Sequence, residues 1–129
     1  MHELNQKSAT ELAELIKSKE VSSKEVVETH LKRIEEVNPE INAITITLEE
    51  SATELAKKAD NASDDERNRP FHGVPITIKE NIDFVGTPTT NGLPALADSM
   101  PPKNTPLVDR MLGAGAIPIG RTNLPEMGL

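Results

Sequence analysis

Apolar residues recur every three or four positions through the first sixty residues and then gather into short unbroken runs after position 70. Leu12, Leu15 and Ile16 make one stripe behind Ser8-Ala-Thr-Glu11, a capping box in which the serine hydroxyl and the glutamate carboxylate each satisfy a free N–H of the first turn. A helix is predicted to start there and to end in the polar run Lys17 to Glu20. Ser22-Ser-Lys-Glu25 repeats the box, and Val26, Val27, His30, Leu31, Ile34 and Val37 predict a longer helix, with Asn38-Pro39 as its expected stop. Ile41 to Leu48 is β-branched and partly alternating, which predicts a strand. A third helix is expected from about Glu49 to Asn61, followed by an exposed loop over the polar, unperiodic stretch Asn61 to Arg69. Ser51-Ala-Thr-Glu-Leu-Ala56 duplicates Ser8-Ala-Thr-Glu-Leu-Ala13, but the flanks differ, so the match is one helix-start pattern used twice rather than a repeat.

The runs after position 70 obey other rules. Val74 to Ile78 and Ala116 to Ile119 are short and apolar at successive positions, as buried parallel strands are. Between them lie a long turn-rich loop, Gly86 to Pro102, and a helix signal. Thr105-Pro106 places a cap before a proline at the first helical position, Leu107, Val108, Met111 and Leu112 share a face, and Gly113 ends it. Strand, loop, helix, strand is a βαβ unit. The expected class is α/β: amino-terminal helices with one strand over residues 1–69, then part of a mixed or parallel sheet over residues 70–129. Loops as long as Gly86 to Pro102 are usually functional.

Composition agrees with that division. All seven glycines and nine of the ten prolines follow Arg69, whereas 26 of the 35 charged residues lie in residues 1–69. At 129 residues the chain has the size of one domain or of a piece of one, and with Phe71 and Phe84 as its only aromatics the core must be aliphatic. The absence of cysteine excludes disulfides and thiolate metal sites and makes the cytoplasm the expected compartment. A net charge of -7 argues against nucleic-acid or acidic-membrane partners. His2, His30 and His72 have no ligand spacing, so neither a metal nor a cofactor is expected. The amino terminus has no basic-then-apolar signal, and the apolar stretch Met111 to Gly120 is far short of the roughly 20 residues a spanning helix needs, which predicts a soluble protein.

The chemistry centres on Lys79, at the end of Gly73-Val-Pro-Ile-Thr-Ile-Lys79. Taken alone, such a lysine is ordinarily led out to solvent along its own stem. Its company makes a base the competing reading. Glu80 and Asn81, the Thr87-Pro-Thr-Thr-Asn-Gly92 loop and Gly120-Arg-Thr-Asn123 all follow the carboxyl ends of expected strands, where parallel sheets form ligand sites.

Gly73-Val-Pro-Ile-Thr-Ile-Lys-Glu-Asn81, Thr89-Thr-Asn-Gly92, Gly113-Ala-Gly-Ala116 and Gly120-Arg-Thr-Asn-Leu-Pro-Glu-Met127, in that order, resemble the amino-terminal part of the amidase signature family. The resemblance implies an amide hydrolase with a Ser, cis-Ser, Lys triad and places Lys79 on the catalytic lysine. An ammonium cannot accept a proton, so that role requires an uncharged amine, a state that burial and neighbouring dipoles favour. Family position also implies Asn123, Met127 and Gly128 as lining of the substrate pocket. Glu80 stands where many members carry aspartate, and Asn91-Gly-Leu93 replaces commoner small residues, departures that bear on substrate class. In relatives the Gly-Ser-rich segment that supplies both serines lies beyond Leu129, and here no serine or cysteine follows Ser99, itself in a loop without a glycine cradle. The expectation is the amino-terminal part of an enzyme acting on a small carboxamide, with the lysine but neither serine, and inactive alone. The rivals are a non-catalytic α/β module for self-association or for a companion chain that completes the sheet, and a small-amide binding protein.

Overall fold

The computed structural model describes residues 1–129. Its elements run α1 (Ala9–Lys17), α2 (Ser23–Ile41), β1 (Ile44–Thr47), α3 (Glu49–Asp60), α4 (Asp64–Arg67), β2 (Pro75–Lys79), α5 (Pro106–Gly113) and β3 (Ile117–Thr122), with single 3-10 turns at Glu3–Gln6, Pro94–Leu96 and Glu126–Gly128. The capping residues act as their types require: the hydroxyls of Ser8, Ser22 and Thr105 accept the amides of Glu11, Glu25 and Val108.

The three strands form one mixed sheet in the order β1-β3-β2. β2 and β3 are parallel, joined by a crossover that carries α5, while β1 lies antiparallel on the other side of β3. The ladder is irregular between Ile76 and Thr77, where Ile119 has no partner on β2. That bulge sits beside Pro118, whose missing N–H is tolerable at such a point in a central strand. Only β3 is buried along nearly its whole length. The expectation of two fully buried strands fails for β2, because at the edge of the sheet Thr77 and Lys79 are exposed while Ile78 is buried.

Two aliphatic clusters hold the layers together. Val27 and Leu31 of α2, Ala52, Ala56 and Ala59 of α3, and Ile117 and Ile119 of β3 form one. Alanines on the inner face of α3 let that helix lie close against both α2 and the sheet. Leu4, Leu12, Ile16, Val26 and Val74 form the other, where α1 and α2 meet the chain entering β2. Each fully buried valine or isoleucine is worth about 1.5–3 kcal/mol relative to exposure.

Three boundaries differ from the sequence expectation. Pro39 does not stop α2, which continues to Ile41. A proline in the last turn removes only one backbone bond, and the helix instead ends at Asn42, in the left-handed conformation at φ 47°, ψ 43°. The Asn38 side chain meanwhile donates to Ile44 O and accepts from Ile44 N, both at 2.8 Å, so the strand starts at Ile44 rather than Ile41. The third difference is α4, inside the stretch expected to be loop, where Ser63-Asp-Asp-Glu66 is another capping box and Arg67 turns inward to the Asp60 carbonyl. No helix is long and apolar enough to cross a membrane.

Asp60 ties α3 to the start of α2. Its two carboxylate oxygens accept the amides of Ser23, at 2.7 Å, and Lys24, at 3.1 Å, which have no partner within their own helix. Asp60→Ala should lower the unfolding free energy by about 1–2 kcal/mol, and Asp60→Asn by less, since one acceptor survives. Urea midpoints equal to wild type for both variants would show that water replaces this cap at no cost.

Candidate active site at the carboxyl ends of β2 and β3

β2 ends at Lys79, whose Cα partner in the parallel register is Thr122. The Lys79 side chain is exposed. The backbone around it is fixed from several directions. The Glu80 amide donates to Thr122 O at 3.0 Å, and the Ile82 amide donates to Lys79 O at 3.0 Å, closing a turn directly after the strand.

Arg121 lies wholly buried beneath this turn. Its Nε donates to Ile78 O at 3.2 Å, one terminal nitrogen donates to Lys79 O at 3.1 Å and Ile82 O at 2.6 Å, and the other donates to the Thr87 hydroxyl. Thr87 passes the connection on by donating to Phe84 O at 2.9 Å. Burial holds the Arg121 guanidinium below its ordinary pKa, against the smaller opposing pull of the Glu80 and Asp83 carboxylates.

Glu80 is the anionic half of the arrangement and is itself 6% exposed. One carboxylate oxygen accepts the Thr45 hydroxyl of β1, and the other accepts the Thr90 hydroxyl at 2.6 Å. A single side chain thus joins β1, the end of β2 and the long loop. Asp83 anchors the same loop by accepting the Thr89 hydroxyl at 2.7 Å.

The loop in turn holds the last residues of the chain. Asn91 O accepts the Met127 amide at 2.8 Å, and a side chain at Gly92 would come within 3.2 Å of Leu124 O and 3.3 Å of Pro125 O. Met127 adopts φ 56°, ψ 11°, and its side chain is exposed, as is Gly128. Asn123 follows β3 with its polar groups engaged: its backbone N–H donates to Ala43 O at 2.9 Å, its side-chain Nδ2 donates to Asn42 O at 3.1 Å, and its side-chain Oδ1 accepts the Leu124 amide at 2.9 Å. Backbone bonds through Glu80, Asn91 and Thr122 thus link the end of β2 at Lys79 to the turns that carry Asn123, Met127 and Gly128. Ser99 is exposed on the long loop, its carbonyl accepting the Thr89 amide at 2.9 Å.

Sequence reasoning did not single out Glu80 or Arg121 as buried, linked groups. The one available signal was position, since each directly follows a strand-like run. A wide surface groove lies elsewhere, lined mainly by Glu28, Lys32, Glu35 and Asn38 of α2 and by Glu49 and Thr53 of α3. Its polar, open lining is that of a solvated seam between helices. A smaller apolar groove runs along the free edge of β2, between Ile76, Ile78 and Ile82 and the face of α5 carrying Leu107 and Met111.

His72, just before β2, is a buried group of another kind. Nε2 lies 3.0 Å from Ala59 O, Nδ1 has no partner, and burial, aided by Arg69 and Arg67, holds the imidazole pKa below its ordinary value of 6.5 against the opposing pull of the Ala59 bond and Glu66. The unfolded chain then binds a proton that the folded chain does not. Stability from this source is complete above pH 6.5 and is lost as the pH falls from there through the lowered folded value. The urea midpoint should drop between pH 7 and pH 5, above the range in which Glu11 and Glu66 titrate, and His72→Gln should flatten that slope. A slope unchanged in the variant would exclude His72 as its source.

Residues 25–129 match the amidase family. The chain belongs to the amidase signature family and covers an amino-terminal portion of its members. It is 44% identical over 124 residues to an indoleacetamide hydrolase of Bradyrhizobium diazoefficiens, covering 92% of this chain and 23% of that protein. It is 40% identical over 122 residues to an acylamidase of Rhodococcus erythropolis, covering 94% of this chain and 26% of that one. The structure of native peptide amidase from Stenotrophomonas maltophilia superposes with a TM-score of 0.82 at 30% identity, over 92% of this chain and 25% of that one. The chain spans about a quarter of the length of these relatives.

Proposed function

We propose that this chain is the amino-terminal part of an enzyme that hydrolyses the C–N bond of a small carboxamide, and that Lys79 is its base. In this reading the uncharged Lys79 amine takes a proton from the cis-serine as that serine takes one from the nucleophilic serine. The nucleophile adds to the amide carbonyl, the C–N bond breaks as the proton passes to the departing amine, and a water then cleaves the resulting serine ester to give the carboxylic acid and the free serine. Both serines, the donors for the oxyanion and the low-dielectric cover that an uncharged amine needs would come from the roughly three quarters of the relatives' length that this chain does not span.

The observation that carries the proposal is the contrast at Lys79. Its flanking backbone is held at Ile78 O, Lys79 O and the Glu80 amide, while its Nζ makes no hydrogen bond or ion pair within the chain. A side chain kept only for solubility does not need a fixed root. The names of the relatives, an indoleacetamide hydrolase and an acylamidase, support a carboxamide substrate.

The test is hydrolysis of phenylacetamide by the longer polypeptide that this reading requires, beside the 129-residue chain alone. Ammonia release by the former, lost with Lys79→Ala, and none by the latter, is the expected result. A folded longer polypeptide that binds phenylacetamide without turnover would favour the binding protein, and one that neither binds nor cleaves any carboxamide would favour the association module.

A further inference from the structure

We infer that Arg121 is the positioning residue of this site: its guanidinium sets where the Lys79 side chain begins by gripping the backbone on both sides of it. The inference rests on the reading of Lys79 as the base.

Lys79 occupies the last position of an edge strand, where sheet pairing stops and strand ends fray most readily. A lysine has a flexible four-carbon stem, so the error in its Nζ position grows from any error at its Cα. Arg121 removes that error at the root. Its nitrogens reach the carbonyl before Lys79, the carbonyl of Lys79 and, across the turn, that of Ile82, while Thr87 links the same guanidinium to the loop that follows.

An arginine is suited to this because its planar fork presents several donors in fixed directions, which a lysine ammonium cannot reproduce. The arrangement is also costly. Arg121 is fully buried, its hydrogen bonds go to carbonyl and hydroxyl oxygens, and the carboxylates near it, Glu80 and Asp83, are not within ion-pair distance. An aliphatic side chain of similar volume fills such a space without desolvating a charge. What an aliphatic residue cannot do is gather three carbonyls of a turn, and that is the function the geometry assigns.

The experiment compares Arg121→Met and Arg121→Lys in the longer polypeptide that the proposed function requires, with phenylacetamide as substrate and kcat and KM measured separately. Backbone hydrogen exchange is followed at Glu80 and Ile82, with Val27 and Ala56 as core reporters. A group that orients the base without touching substrate should move kcat by about 10- to 100-fold, the size of effect expected from misplacing a catalytic group by an ångström, and leave KM within about twofold. Exchange should quicken about 10-fold or more at Glu80 and Ile82 and stay unchanged at the core reporters, with Arg121→Lys intermediate. A folded Arg121→Met enzyme with wild-type kcat, or a loss carried by KM alone, would overturn the inference. If both substitutions prevent folding, Thr87→Val decides, since it removes one guanidinium partner at nearly constant shape. A severalfold fall in kcat with KM unmoved then supports the inference, and unchanged kcat overturns it. Should Lys79→Ala retain turnover, the reading of the base fails separately, and the exchange rates still report whether Arg121 holds this backbone.

Discussion

In the longer enzyme that the proposed function requires, replacing Lys79 by alanine is expected to lower kcat/KM toward a simple carboxamide by about a thousandfold or more, with most of the loss in kcat. Removing a positioned general base costs about 100- to 10,000-fold on its own, and the members of a relay fail as a unit. Lys79→Arg should be no better than alanine, because a guanidinium stays protonated and cannot accept the proton. Lys79→Cys alkylated with 2-bromoethylamine places an amine at nearly the same reach and should recover a substantial part of the rate. Activity in Lys79→Arg comparable to wild type would mean that the position needs a positive charge and not a base. Lys79 is exposed in this chain, so Lys79→Ala should leave the unfolding of the 129-residue chain unchanged.

Gly115→Ala is expected to be among the most damaging single substitutions for the fold, at about 3 kcal/mol or more. Gly115 sits at φ +92°, a region that costs a residue bearing a Cβ about 1–3 kcal/mol. The added carbon would also lie 2.7 Å from the Cα and 3.0 Å from the N of His72, and those are backbone atoms that cannot swing aside. Moving them breaks the bonds that bring the two chain segments side by side, Phe71 N to Ala114 O and Gly73 N to Gly115 O, both 2.9 Å. Against a total stability of roughly 5–15 kcal/mol this is a large fraction. Gly113→Ala, two residues earlier, should do the opposite. It ends α5 with nothing within 4 Å of a built Cβ, and alanine there should stabilise by up to about 1 kcal/mol. Equal thermal midpoints for the two variants would mean that the approach of residue 72 to residue 115 is looser than described.

The sequence showed most of the scaffold because most of the scaffold is local. Ser8 and Glu11, or Thr105 and Pro106, specify a helix start within four residues, and the aliphatic runs of β2 and β3 are visible without knowing their partners. What escaped depends on distant residues. Nothing near Glu80 in the chain indicates that Thr45 and Thr90 will enclose its carboxylate, and nothing near Arg121 indicates that Thr87 and the carbonyls of residues 78–82 will line its pocket. Charged residues beyond a strand read as exposed until tertiary contacts give them partners. The same holds for Pro39, past which the helix runs to a left-handed Asn42 while the Asn38 side chain binds Ile44, and for α4, a single turn too short to show a period. The antiparallel placement of β1 was equally hidden, since no local signal tells which edge of β3 a strand seventy residues earlier will take.

The central place of β3 also fixes an order of events during synthesis. β1 and β2 share no ladder; each pairs only with β3, the last strand of the three to be made. As the chain leaves the ribosome at about 5–20 residues per second, α1, α2 and α3 can pack together while both strands wait unpaired, for several seconds in the case of β1. Neither ladder can form before residues 117–122 are made, and Arg121, which holds the backbone of Lys79, is among them.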